Sequence, residues 1–297
     1  MSMQAGGVSF AHAVCAAGAK CAIRRLGTRA LDPATKDLER LAKELELSRY
    51  QCLSLLPASD YQLLLVEAPN VPGAELKNAV RWRIKDMIDY HVQDATVDVL
   101  DIPTEAASGG RNHSMYAVAA RNEIVQRCIE HFDAAHIPLS VIDIAETAQR
   151  NVATLFEQPG RGLAFLYVGA EHALLTVNFR GELYLARRID ATAGDLAKLA
   201  RGGNEDMANR VLLELQRSFD HLDRQYPFVN IAKLVLGPEP EDTGLAAYLR
   251  ANLGLPVEQA RLEDVLDFAP DAIPSAHDAW RLFHVLGAAL RNETKTL

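Results

Sequence analysis

Asp220, His221 and Asp223 set two carboxylates and an imidazole within four positions of one predicted helix, the residue types of general acid–base chemistry. Neighbouring helical positions point in different directions, so the three do not converge on one substrate atom and read as a solvated face. Metal chemistry asks for a ligand set. The 9 histidines, His12, His91, His113, His131, His136, His172, His221, His277 and His284, form no HExxH and no triad, although His131 and His136 flank one helix end. Serine catalysis has no GxSxG to anchor it. Arg201-Gly202-Gly203-Asn204 lacks the Lys-Ser/Thr of a Walker loop and reads as the loop and cap of the helix behind it. The 4 cysteines, Cys15, Cys21, Cys52 and Cys128, show no CxxC pair and no histidine at metal spacing; they are expected to be buried, inert thiols in a reducing compartment.

The elements that must position any site follow from periodicity. Val8–Val14 and Cys21–Leu26 read as a strand hairpin, followed by a helix that Asp32 caps and Pro33 opens, with Leu38, Leu41, Ala42 and Leu45 inward. Cys52–Leu56 and Tyr61–Val66 are consecutive strands. Leu76, Val80, Ile84, Met87 and Ile88 then recur at steps of three and four, predicting a helix after Pro72-Gly73 with Lys77, Arg81 and Lys85 as a solvated basic edge. A strand at Thr96–Ile102 and a polar loop at Thr104–Asn112 close that unit. Ser114–Ala120, Glu123–Ala135 and Leu139–Ile144 read as strand, helix (Ile124, Cys128, Ile129 and Phe132 inward) and strand. A helix over about 145–156 ends at Glu157–Gly162, where one proline and two glycines mark the main boundary.

The second half restarts with three strands, Leu163–Val168, Ala173–Phe179 and Glu182–Ile189, the last two joined through Arg180-Gly181. Asn204 caps a long helix with Val211, Leu212, Leu215, Phe219, Leu222 and Tyr226 on one face, stopped by Pro227. A buried strand at Ile231–Leu236, a helix at Thr243–Leu253 and a final helix at Ala276–Leu290 carrying Trp280, Phe283 and Leu286 complete the chain.

Composition removes several classes of function. Apolar residues make up 49% and charged residues 24% of 297 residues, which excludes extensive disorder. The net charge of −8 is spread without a basic stripe, so no nucleic-acid partner is expected. No apolar run reaches the roughly 20 residues of a membrane span, and the N-terminus has no basic segment ahead of its apolar residues. The expected place is the cytoplasm, with any membrane association made through partners and no direct membrane insertion.

Two halves that each open on a strand hairpin suggest a duplicated α/β architecture of the actin and ribonuclease H type. Four stretches sharpen this: AELKNAVRWRIKDMIDYHVQDATVDVLDIP, SMYAVAARNEIVQRCIEHFDAAHIPLSVIDIAETAQRNV, GELYLARRID and LLELQRSFDHLDRQYP. Together they resemble the MshI biogenesis proteins of mannose-sensitive haemagglutinin (MSHA) pili, relatives of the type IV pilus protein PilM and of the cytoplasmic part of type II secretion protein L. The resemblance runs through most of the chain from Leu63 onward. It implies an actin-like (ribonuclease H-like) two-domain α/β fold, with a first domain at 1–160 carrying a small α/β subdomain at about 74–135, and a second domain at 161–297. It also implies a place in pilus assembly at the inner membrane. PilM-like proteins bind ATP in their cleft and grip a short N-terminal cytoplasmic peptide of the single-span protein PilN.

The nucleotide motifs that the resemblance implies are degraded. An actin-type cleft uses an Asp-x-Gly on each hairpin, with glycine for close phosphate approach and a carboxylate to hold Mg²⁺ through water. The first has no acidic residue before Asp32, only Gly6 and Gly7. The second falls on Tyr167-Val168-Gly169, with a tyrosine in the place of the acid. The adenosine-side glycine pair is Leu236-Gly237-Pro238-Glu239-Pro240, where proline removes a donor. The leading expectation is therefore a non-catalytic scaffold with no catalytic residues and no bound metal, which holds a PilN-like tail and helps dock the pilus platform to other assembly proteins. The tail would lie in a groove beside the inserted subdomain with Trp82 as its anchor; Trp82 packed in the core between helix and strand is the competing account. The alternative is an ATP- and Mg-dependent assembly ATPase or switch relying on the remnant backbone donors of Gly169 and Gly237. An unrelated α/β enzyme would need a convergent polar cluster that the sequence does not supply.

Overall fold

The computed structural model describes residues 1–4, 6–31, 37–104, 113–200 and 205–292. Asp32, Pro33, most of the loop containing Ser108-Gly109-Gly110, and Arg201–Asn204 lie outside the described residues. By contacts the chain forms two compact units, one of Met1–Val8 and Arg29–Ala145, the other of Ser9–Thr28 and Glu146–Asn292.

In the first unit, Cys52–Leu55 pairs in parallel with Leu139–Asp143. Beside them Tyr61–Glu67, Ser114–Arg121 and Ala95–Asp101 form a three-stranded antiparallel sheet with Ser114–Arg121 at its centre. The helix Gly73–Arg83 covers that sheet, because Val80 and Ile84 meet Val66, Val97, Val99, Met115 and Ala117 in a small core of their own. The predicted helix is shorter than its apolar period: it ends at Arg83, and the chain turns so that Ile88 is buried while Met87 is 48% exposed. The helix Asn122–Ala134 buries Phe132, but Ile129, expected inward, stands at the surface.

In the second unit five strands run in the order Glu182–Ile189, Ala173–Phe179, Gly162–Val168, Ile231–Leu236 and Val257–Gln259. The first three are antiparallel and the last two parallel to their neighbours. Gly162–Val168 and Ala173–Phe179 are buried along their whole length; the first is a continuous apolar run rather than an alternating one, and the second departs from one at Thr176 and Asn178, which bond to Gln149 and to the Arg150 carbonyl. Arg180 and Gly181 both take positive φ, 55° and 79°, the requirement of a two-residue hairpin turn whose twist matches its strands. The amphipathic helix Asp206–Gln225 buries Val211, Leu215 and Leu222. The core at the other end gathers Phe165, Tyr167 and Val235 with Phe283 and Leu286.

Other expectations need correction. The final helix is two, Ala276–Arg281 and Phe283–Ala289, joined at Leu282. A helix at Ala193–Ala200 and three-residue strands at Val257–Gln259 and Leu266–Phe268 were not expected, and the last pairs with Cys21–Ile23. Cys15 and Cys21 are not free buried thiols: they close a disulfide across the hairpin turn, with Cys15 exposed. Cys52 is free and buried, as expected, and Cys128 is free and partly buried.

Candidate functional site

The strand Gly162–Val168 ends at the tight turn Gly169–His172, and Tyr167 is the residue that organises this end of the sheet. Its phenol donates to the carbonyl of Trp280 at 2.9 Å, and the Trp280 indole N–H returns a bond to the carbonyl of Val168 at 2.7 Å. Two reciprocal hydrogen bonds thus fasten the strand to the helix Ala276–Arg281. The Tyr167 ring stacks on Phe283 with centroids 4.9 Å apart, and Phe283 in turn stacks on Phe165 at 5.4 Å. Burial in this stack pushes the Tyr167 phenol above its ordinary range and keeps it a neutral donor.

Both sequence-predicted glycines lie against this stack, with their polar groups engaged. The Gly169 N–H donates to the His172 carbonyl at 3.0 Å, and the Gly169 carbonyl accepts from Ala193 N–H. The Gly237 N–H donates to Leu166 O at 2.8 Å, and its carbonyl accepts from Gln259 Nε2. A Cβ on Gly237 would stand 3.1 Å from the Tyr167 ring and 3.3 Å from Phe165. A side chain here would press on both rings, which would have to give by a few tenths of an ångström.

Behind the stack lies a polar cluster that periodicity did not reveal. Gln149 is fully buried; its amide nitrogen lies 3.1 Å from Phe165 O, 3.0 Å from Leu174 O and 3.1 Å from Thr176 Oγ1, tying two strands to the helix Ala145–Ala153. Arg188 places Nε and Nη2 on Glu146 Oε1 at 3.2 and 3.0 Å, and Glu146 is 2% exposed. Half-buried His284 meets Gln149 Oε1 at 3.3 Å and packs edge-on against Tyr167. The only sequence signal for this cluster was polar residues at positions that a helical period would fill with apolar ones.

Desolvation, reinforced by His172 and Arg188, pushes His284 down to about 3. The sign of the linkage follows. Between the folded value and the unfolded value of about 6.5 the unfolded chain binds the extra proton, so this contribution is complete above the unfolded pKa and is lost as pH falls toward 3. Urea unfolding at pH 7.5 and 5.5 is expected to show a His284 contribution of about 1 kcal/mol lost at the lower pH. His284→Gln should flatten the slope, and an unchanged slope would refute the assignment.

The other candidate residues are dispersed. Asp220, His221 and Asp223 are all exposed, and among the described residues no group of three His, Cys, Asp or Glu is placed to hold a metal ion. No helix among them is long and apolar enough to cross a membrane. Lys77 pairs with Asp98 at 2.9 Å, as a solvated edge should. Trp82 is 62% exposed on the helix Gly73–Arg83, which overturns the account of it as a core residue.

No family model and no curated protein matches the sequence. Among solved structures the chain is similar, over 97% of its length and 96% of the other, to a chain of the PilM-PilN type IV pilus biogenesis complex, at 22% identity and a TM-score of 0.68. It is similar over 90% of both chains to a Bacteroides thetaiotaomicron protein with actin-like ATPase fold and unknown function, at 10% identity and a TM-score of 0.50. The fold is that of the actin-like ATPases. A further similar structure is the cytoplasmic domain of EpsL, an inner-membrane component of the type II secretion system of Vibrio cholerae, with 95% and 91% coverage, 16% identity and a TM-score of 0.46. Tyr167, the position at which the sequence resemblance implied an acidic residue, carries the aromatic stack and its bond to Trp280.

Proposed function

We propose that this chain is a cytoplasmic adaptor of type IV pilus assembly, of the MshI kind that serves MSHA pili, and that it holds the cytoplasmic tail of a PilN-like inner-membrane protein. The observation that carries the reading is the likeness over nearly the whole chain to a structure described as a PilM-PilN complex. Trp82 supports it, because a large exposed aromatic is a costly surface residue unless it anchors an interface. In the sheet that the helix Gly73–Arg83 covers, Leu65 is 43% exposed on Tyr61–Glu67, an edge strand where an added strand can find main-chain partners.

In this reading the nucleotide cleft is degenerate. The residues at its motif positions do not fit a phosphate: the Gly169 and Gly237 N–H groups are engaged within the fold, and Tyr167 offers a neutral phenol already bonded to Trp280. The alternative, an ATP-switched adaptor, rests on the actin-like fold and requires Mg-ATP to be held by other groups. The deciding experiment is titration of the protein with the cytoplasmic peptide of its membrane partner. Trp82→Ala should weaken binding by about tenfold or more, with an unchanged melting temperature. Full affinity in that variant would remove Trp82 from the site, and no peptide binding by the unaltered chain would sink the adaptor reading.

A further inference from the structure

The hairpin between Ser9 and Thr28 belongs to the second unit, and its tip is exposed without interruption from Val14 to Lys20. The Ala19 N–H donates to the Ala16 carbonyl at 3.2 Å, Gly18 takes φ 76°, and the Cys15–Cys21 disulfide closes the loop. Val14 is 48% exposed, and Ala16, Ala17 and Ala19 follow it around the turn. Behind them stand Lys20, Arg24 and Arg25, all exposed, and the first acidic residue of the sequence is Asp32. Among the described residues no carboxylate forms an ion pair with any of these three cations, Asp267 included, although its strand sets it in register with Ala22. Burial first, and then the field of Arg25 and Arg24, holds the nearby His12 below its ordinary value, as two uncompensated guanidinium groups should. The whole chain carries a net charge of −8, so an anionic surface repels most of it and attracts this end.

We propose that this hairpin tip is a peripheral contact with an anionic phospholipid surface, with Val14 and the alanines of the turn entering the headgroup layer and Lys20, Arg24 and Arg25 meeting its phosphates. Apolar atoms ahead of a group of cations are what such a layer accepts, the first toward the acyl chains and the second among the headgroups. An acidic peptide would use the cations and leave Val14 and the alanines in water. The contact adds lipid to a membrane association expected through partners alone, and it does not rest on the tail-binding reading above, which concerns Trp82 in the other unit.

The test is co-sedimentation of the full chain with vesicles of phosphatidylglycerol mixed with phosphatidylcholine, and with vesicles of phosphatidylcholine alone. The chain should sediment with the first and stay in solution with the second, and added salt should release it. Arg24→Gln and Arg25→Gln should each weaken binding about fivefold, the equivalent of about 1 kcal/mol per cation near such a surface. Ala17→Trp should bind more tightly, with a blue shift of tryptophan fluorescence on the anionic vesicles. Arg210→Gln with Arg217→Gln, a loss of two cations on the helix Asp206–Gln225, should have less than about a twofold effect. Trp82→Ala should leave vesicle binding intact, so that failure here and failure of the tail-binding proposal are separate results. Equal loss in the Arg210/Arg217 variant would reduce the effect to overall charge and overturn the site. No sedimentation with anionic vesicles, full binding by Arg24→Gln with Arg25→Gln, an Ala17→Trp fluorescence that does not shift, or equal affinity for a polyglutamate peptide free of lipid would overturn it as well.

Discussion

Gly287→Ala is expected to destabilise the protein by about 3 kcal/mol or more, as overpacking against an immovable group does. At an ordinary helix position the same change stabilises by about 1 kcal/mol. The reversal of sign comes from the neighbour. Gly287 lies on the helix Phe283–Ala289, and a Cβ there would fall on the carbonyl oxygen of Ala148 and 2.7 Å from its carbon, with Val152 Cγ2 at 3.2 Å. Backbone cannot rotate away as a flexible side chain can. Asn151 Nδ2 donates to the Gly287 carbonyl at 3.0 Å, which holds the helix Ala145–Ala153 at this separation. The melting temperature should fall by about 6–12 °C on the scale of a 150–250-residue unit. An unchanged or raised value would mean that the two helices do not touch there.

This contact also shows what a single sequence can and cannot disclose. Gly287 sits inside an apolar helical pattern and reads as a weak helix residue; its purpose depends on Ala148, 139 positions away in the chain. Gly237 is the same case. The glycine that lets backbone approach a phosphate and the glycine that lets two aromatic rings approach backbone are identical in sequence, and the Tyr167 and Phe165 distances distinguish them. The strands Tyr61–Glu67, Ala173–Phe179 and Glu182–Ile189 were legible because their apolar runs are bounded by turn residues. Val257–Gln259 and Leu266–Phe268 were not, since three residues are too few to show a period. Exposure was the least legible property. Met87 belongs to the helical apolar pattern and still faces outward, because the helix stops at Arg83 and its small sheet is covered by Val80, Ile84 and Ile88; Trp82, two positions from both Val80 and Ile84, falls on the opposite face of the helix. The Cys15–Cys21 bond was hidden by the assumption of a reducing compartment, although a hairpin turn of five residues brings two strand ends together.

Tyr167→Asp, which supplies an acid at the position where the sequence resemblance implies one, is expected to unfold the second unit and not to create a metal site. Tyr167 is 8% exposed, stacked on Phe283 and bonded to Trp280 O. Truncating a buried aromatic costs about 3–5 kcal/mol, and a carboxylate left beside Phe165 and Phe283 with no cation adds several more. Together these approach the roughly 5–15 kcal/mol that stabilises a whole protein. Tyr167→Phe keeps the stack and loses one hydrogen bond, so its cost should be about 1 kcal/mol. The pair separates packing from polarity. Urea unfolding with limited proteolysis should show a folded Tyr167→Phe protein and a protease-sensitive Tyr167→Asp protein. The Trp280 indole would remain bonded to Val168 in the first variant but lose the surface that fixes it in the second, so a red shift of tryptophan fluorescence should accompany only the aspartate. A folded Tyr167→Asp protein that gains Mg-ATP binding would mean that one residue stands between this chain and an actin-type cleft. The stack argues otherwise: Phe165, Phe283, Gly237 and the Trp280 clasp are packed against the tyrosine ring, and the neighbouring His284 imidazole is pushed by burial toward its neutral form, so a carboxylate at 167 meets a largely hydrocarbon wall.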